Sequence, residues 1–273
     1  MPVTGHSDYY NETLSPADIK MFHSAIQHGD WELAYRMMWR EIPCDMNTFM
    51  TGNEFMGYGC TTYPMILKIL NAIDHPRVRH AHLNLGKGAG KTFLIARGML
   101  ARGIQLLLCY RDPHAIFNLA RGTELLSINF STGKIQAQEA IFAELCSGVR
   151  NSSWFEGKYY IKSNEIEFPN NIKVICGHSA GKTFEGLALW RAALDESNLH
   201  TDRLGKSNAE DLFDVAREGG FSRFPDAYKV FTISRSVSDT DFESRMQKEI
   251  AEHGHELPLS FLDTLDFDKG ISA

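Results

Sequence analysis

The chain has 273 residues, of which 43% are hydrophobic, and a formal net charge of -6 at pH 7. That length and apolar content suit one large α/β domain, or a domain with an appendage, and exclude a disordered polymer. The acidic balance argues against a broad basic nucleic-acid surface, leaving only a local basic strip.

Five cysteines, Cys44, Cys60, Cys109, Cys146 and Cys176, form no C-x-x-C pair. They read as reduced thiols rather than a disulfide frame or zinc site. The polar N-terminus lacks a secretory h-region, and no apolar run approaches a membrane span, so a soluble intracellular protein is expected.

In chain order, residues 1 to 14 are polar. Ser15-Pro16-Ala17-Asp18 is a capping signature that predicts a helix to about His28. Asp30 caps a second helix with Trp31, Leu33, Ala34, Met37 and Met38 as its apolar contacts. This pair is either a packing appendage or a lid or docking element. Residues 43 to 62 look irregular. Tyr63-Pro64 opens an apolar helix through Ile66, Ile69, Leu70 and Ile73, with Tyr63 placed either to stack on a nucleotide base or to pack as a core aromatic. His75 to His82 is a basic, His-rich turn. His80 and His82 lack an acidic or Cys partner in the motif, so a satisfied or solvated role is expected rather than metal binding.

A short apolar strand then enters Leu85-Gly86-Lys87-Gly88-Ala89-Gly90-Lys91-Thr92, and a helical pattern with Phe93, Ile95, Ala96, Met99 and Leu100 leaves it. Strand, glycine loop and helix together are the context a phosphate-binding P-loop requires. Glycines at Gly86, Gly88 and Gly90, with small Ala89, let backbone N–H groups approach a polyphosphate, and the helix adds its positive end. Lys91 can reach the outer phosphates and the Thr92 hydroxyl can hold Mg²⁺. The pattern departs from the usual one at Leu85, where glycine is customary. A second Gly-Lys-Thr at Gly181-Lys182-Thr183 lacks room for a following helix and reads as a loop.

Beyond the P-loop helix, the pattern predicts a strand over Ile104 to Tyr110, a short helix from Asp112, a strand over Glu124 to Phe130 and a long amphipathic helix over Lys134 to Val149. Three short strands split by Asn-rich turns come next over 158 to 176, a β-hairpin excursion from the α/β alternation. Leu187 to Leu194, apolar apart from Arg191, runs into Asp195-Glu196. A strand ending in two acids completes an ATPase signature, Asp195 for the metal and Glu196 to deprotonate the attacking water. P-loop and acid pair are expected to face each other across neighbouring parallel strands. A helix over Asn208 to Arg217 ends at Gly219-Gly220, and Tyr228 to Ser234 forms another strand. Its hydroxyls Thr232 and Ser234 either sense the γ-phosphate or are ordinary strand-end polarity. A helix spans Asp241 to Glu252, and the acids Asp263, Asp266 and Asp268 read as a solvated tail.

The order of Gly86 to Thr92, Asp112-Pro113, Ser127-Ile128-Asn129-Phe130-Ser131-Thr132 with Lys134-Ile135-Gln136-Ala137, and Leu194-Asp195-Glu196 resembles the ATPase domain of large terminase subunits, the DNA-packaging motors of tailed double-stranded DNA phages. The resemblance covers roughly residues 45 to 240. It implies an α/β P-loop NTPase of the additional-strand class, with a mostly parallel sheet flanked by helices. It also implies ATP and Mg²⁺ as cofactors, and double-stranded DNA, a portal protein, a small terminase subunit and ring self-association as partners, in the host cytoplasm on the procapsid and with no membrane. Under it Lys87 matches a basic P-loop residue with a catalytic role, and Thr232 to Ser234 match a coupling motif. The family often has Arg before a Gly ahead of the acid pair; here Glu185 precedes Gly186, leaving Lys182, Arg191, Arg121 or Lys87 to supply that charge. The expected organisation is an N-terminal helical appendage over 1–44, the ATPase domain over 45–255 and, over 256–273, a linker toward a ribonuclease H-type nuclease domain not included in this chain. A helicase-like remodelling ATPase is the alternative.

Overall fold

The computed structural model describes residues 13–57, 64–85, 88–131, 137–178, 186–200 and 208–234, with 241–248 in part. The chain opens with helices α1 (Pro16–Gln27) and α2 (Trp31–Met38). Ser15 and Asp18 form a reciprocal capping box on α1, and the Asp30 carboxylate accepts from Leu33 N at the start of α2. The pair buries Phe22, Ala25, Ala34 and Met37 against each other. It is also tied to the centre of the fold, where Leu14 N donates to the buried Asp112 carboxylate at 2.9 Å.

A short helix α3 (Met46–Thr51) appears where sequence periodicity suggested irregular chain. Its signal was Asp45, whose carboxylate accepts from Thr48 N and the Thr48 hydroxyl. Helix α4 (Pro64–Asp74) buries Ile66, Ile69, Leu70 and Ile73.

Seven strands among the described residues form one sheet: β1 (His80–Asn84), β2 (Leu125–Ser131), β3 (Tyr160–Ile161), β4 (Glu165–Phe168), β5 (Ile172–His178), β6 (Ala188–Asp195) and β7 (Lys229–Ser234). Their spatial order is β1-β7-β6-β2-β5-β4-β3. The first five in that order pair in parallel, and β4 and β3 continue antiparallel at the edge as the expected excursion. Every residue of β2, β6 and β7 is buried, as in a sheet covered on both faces.

One face carries the long helix α5, Lys91–Cys109, which is α-helical at both ends and loosens to π-type hydrogen bonding over Leu94–Ala101. The predicted strand over 104–110 is its second half: Ile104, Leu107 and Leu108 recur at helical spacing and nothing breaks the helix between. By length and composition these 19 residues could cross a membrane, a feature hidden when the run is split in two; 83% of the apolar window is buried inside the fold, as in a core helix. Trp190 Nε1 donates to Gly103 O at 3.0 Å and fixes α5 to β6.

Asp112 caps the short α6 (Pro113–Ile116). The helix α7 comes after β2, π-type over Ala137–Phe142 and α-helical over Ala143–Asn151.

The opposite face carries α8 (Ala209–Phe221). It runs straight through Gly219-Gly220 instead of ending there. A Cβ at Gly219 would sit 2.9 Å from Leu187 O, and one at Gly220 would sit 2.5 Å from the Tyr228 ring, so these glycines permit close helix–sheet packing. The predicted helix from Asp241 is described only in part, and the tail acids lie outside the described residues.

Candidate nucleotide site

The parallel strands β1, β7 and β6 bring their carboxyl ends to one edge, where an open α/β sheet binds its ligand. From β1 the chain passes through Leu85, whose N–H donates to Ser234 O at 3.0 Å, into the glycine loop. Gly86, Lys87 and Tyr63 lie outside the described residues, as does the second Gly-Lys-Thr. Gly88 and Gly90 both take left-handed backbone, at φ 85° and 80°, which favours glycine. Gly90 caps α5, so Lys91 and Thr92 occupy its first turn.

Lys91 Nζ donates to Glu196 Oε1 at 2.5 Å, with both side chains mostly buried. The P-loop lysine and the acid pair are thus together, as the sequence predicted, but not across neighbouring strands: β7 lies between β1 and β6. That inserted strand is what the additional-strand class implies. Asp195, the last residue of β6, is buried, and its carboxyl is pushed up to about 6, chiefly by burial, then by the charge of Glu196, with Lys91 opposing. Glu196 itself sits at φ 52°, a left-handed conformation that costs a non-glycine residue about 1 kcal/mol or more.

The turn holding Glu196 is fastened at three points. Leu199 N donates to Glu196 O at 2.8 Å, Asn198 N donates to Ser234 Oγ at 3.3 Å, and His200 Nε2 meets Asp195 O at 2.9 Å. Sequence reasoning missed His200; its one signal was a histidine five residues beyond Asp195.

Thr232 hydrogen-bonds His82 Nδ1 at 2.6 Å, in a pocket shared with Phe213 of α8 on the opposite face of the sheet. Ser234 touches the site at two points, its hydroxyl accepting from Asn198 N and its carbonyl from Leu85 N at the entry to the glycine loop. His80 meets the Tyr228 hydroxyl at 3.0 Å, so both histidines are satisfied side chains; no cluster of three metal-ligating residues occurs among the described residues. Arg191 cannot serve as a finger toward a neighbour's nucleotide, because it is 1% exposed and paired with Asp74 in the core. Arg121 is exposed but holds Asp112 and Leu14 O, tying down the N-terminal segment. Lys182 lies outside the described residues.

These residues fit a nucleotide and a divalent cation. Two left-handed glycines lead into a long helix whose first N–H groups are free of helical partners. Asp195 is a carboxyl whose ionised form burial disfavours, and a cation would relieve that cost. Glycine loop, lysine and two strand-end acids across an inserted strand define a P-loop NTPase.

The chain belongs to the family described as the N-terminal P-loop domain of uncharacterized protein MJ0330, which matches residues 19–261. No curated protein matches it significantly. Among solved structures, the large terminase of bacteriophage HK97 superposes with a TM-score of 0.55 at 17% identity, over 80% of this chain and 42% of that one. The ATPase domain of the Thermus phage P74-26 large terminase gives 0.42 at 12% identity, over 72% and 71%. Of these two, the HK97 likeness is the one that bears on the fold, and the fold is what it shows. The chain spans less than half the length of the HK97 protein.

Proposed function

We propose that this chain is the ATP-hydrolysing motor part of a viral DNA-packaging machine, one that drives double-stranded DNA into a procapsid in the host cytoplasm. The observation that carries the hydrolytic half is the Lys91–Glu196 pair beside Asp195 at the sheet edge. The fold shared with the HK97 large terminase supports the packaging half. On this reading the chain works as a ring on a portal protein with a small terminase subunit.

Glu196 is the general base for the attacking water. In the structure its charge is neutralised by Lys91. An arriving polyphosphate competes for the lysine and leaves the Glu196 carboxylate free to take a proton. Asp195 and Thr92 would hold the magnesium ion, which when bound neutralises charge on the phosphate oxygens. Thr232 and Ser234 act indirectly on this reading, through His82 and the Asn198 turn.

Phosphate release by wild type, Lys91→Ala and Glu196→Gln, each with and without double-stranded DNA, tests the proposal. Lys91→Ala is expected to lose nucleotide binding. Glu196→Gln is expected to bind without turning over, and DNA is expected to raise the wild-type rate. The isolated chain should be slow, since an arginine supplied by a neighbour is worth on the order of a thousandfold. Equal turnover in all three proteins would remove the motor. Strand separation, with stimulation by single strands only, would favour the helicase-like alternative.

A further inference from the structure

We infer that His200 is a positioning residue for hydrolysis, holding the Asp195–Glu196 strand tip in its working conformation through the Asp195 carbonyl. The inference rests on the role given to Glu196 above. His200 is fully buried, and its Nε2 lies 2.9 Å from Asp195 O. A carbonyl oxygen only accepts, so Nε2 carries the hydrogen and Nδ1 is the unprotonated nitrogen. Nδ1 has no partner among the described residues, although it is buried. A buried acceptor left unpaired costs stability, and an apolar side chain of similar size would avoid that cost. What the imidazole supplies in return is its single N–H, directed at the residue that ends β6.

The placement matters because of the residue next to Asp195. Glu196 holds left-handed backbone, which a non-glycine residue keeps only where its surroundings impose it. His200 closes that surrounding loop. Its N–H donates to Ser197 O at 3.2 Å and its carbonyl accepts from Asn208 N at 3.1 Å, so the ring is anchored at both backbone ends while its side chain grips Asp195. Ser197, between them, is fully buried. With the grip released, Glu196 can relax toward ordinary backbone and carry its carboxylate away from the place where Lys91 now meets it. The phosphate cradle of Gly88, Gly90 and Lys91 belongs to a different segment and is left intact.

The test compares His200→Leu, which removes the donor, with His200→Gln, whose amide nitrogen can take the place of Nε2. Expected for His200→Leu is a fall in kcat of about a hundredfold with KM nearly unchanged, and ADP affinity without magnesium equal to wild type by a fluorescent analogue. His200→Gln is expected to recover most of the lost turnover. A purely packing role predicts the reverse order, since Gln adds an unmatched polar group where Leu adds none. Wild-type turnover in His200→Leu, or no advantage of Gln over Leu, overturns the inference. Should the Leu variant fail to fold, His200→Asn replaces it: its amide is too short to reach the carbonyl, and turnover equal to that of Gln overturns the inference as well. Glu196→Gln in the same assay separates the two ideas. If it turns over like wild type, the hydrolytic reading and this inference fall together; if it is inactive while His200→Leu is unaffected, this inference alone falls.

Discussion

Asp74→Asn is expected to be among the most damaging single substitutions outside the nucleotide site. Asp74 ends α4 and holds two guanidinium groups in the core. Arg191 Nη2 lies 3.1 Å from Oδ1, and Arg102 Nη2 lies 2.9 Å from Oδ2. The arginine side chains are 1% and 5% exposed and that of Asp74 is 13%, so water cannot take over when the carboxylate is lost. Burial alone would raise the Asp74 carboxyl; the charges of Arg191 and Arg102 outweigh it and hold it below its ordinary value. An amide keeps one acceptor but turns an NH₂ toward the other cation. Breaking such a buried pair costs about 3–5 kcal/mol, a large share of the roughly 5–15 kcal/mol typical of a whole domain. Urea unfolding at pH 7 measures it, with Glu167→Gln on the exposed Lys162 bridges as a control expected to change nothing measurable. Because the folded value is lowered, the contribution is fully present above the ordinary 3.8 and is lost as pH falls through the lower folded value. The gap between wild type and Asp74→Asn should therefore close in strong acid. A loss below about 1 kcal/mol at pH 7 would refute the assignment.

Lys229 gives a pH test of the same sign in a different window, above neutral pH rather than in acid. It is buried, and its amine is pushed down to about 7, first by burial and then by Arg191, while Nζ donates to His75 O at 2.8 Å and Val78 O at 2.6 Å, two bonds a neutral amine can make. Between that value and 10.5 the unfolded chain binds the proton more tightly, so stability should rise with pH above 7, by at most about 1.4 kcal/mol per unit; Lys229→Met should flatten the slope seen in urea titrations from pH 7 to 9. Gly220→Ala should destabilise by about 1–3 kcal/mol through overpacking, against the gain of up to about 1 kcal/mol that alanine brings to an exposed helix, because its Cβ would lie 2.5 Å from the Tyr228 ring. A more stable alanine variant by thermal melting would show that the ring yields.

Where the sequence could be read, a local chemical demand forced the residue choice. Ser15 and Asp18 announce α1 because a helix start needs its N–H groups capped, and that box is present. Gly88, Gly90 and Lys91 announce the phosphate loop, and Asp195-Glu196 ends a fully buried strand as expected. Failures came where burial erased periodicity. Over 104–109 all residues but Leu106 are buried, so the helical spacing of Ile104, Leu107 and Leu108 is masked by an almost unbroken apolar run that passes for a strand. Gly219-Gly220 looked like a helix end because close approach to Leu187 and Tyr228 leaves no mark on the sequence itself. Strand order was likewise hidden. β7 comes last among the strands, yet it pairs with both β1 and β6. Nothing local to it announces an insertion, and only the family resemblance implied one. Arg191 did give a signal, a lone charge in an apolar strand; its partner Asp74 lies too far away in sequence for spacing to reveal.

These tethers also limit how the site can respond to nucleotide. The first turn of α5 supplies Lys91 to Glu196 on the tip of β6. Further along, α5 is fixed to the same strand by Trp190 on Gly103 O and by Arg191 Nη1, which donates to Met99 O at 3.3 Å. Its far end is held by the segment after α2, where Arg40 N donates to Cys109 O at 2.9 Å and the Arg40 guanidinium donates to Leu108 O and Arg111 O. A helix pinned to β6 at two points and capped at its end cannot slide to deliver its lysine. The lysine therefore has its own side-chain torsions to move by, and it meets a Glu196 turn that is itself fastened at three points. Static hydrogen bonds thus join the Glu196 turn to β7 at Ser234, and β7 to β1 at Thr232 and His82.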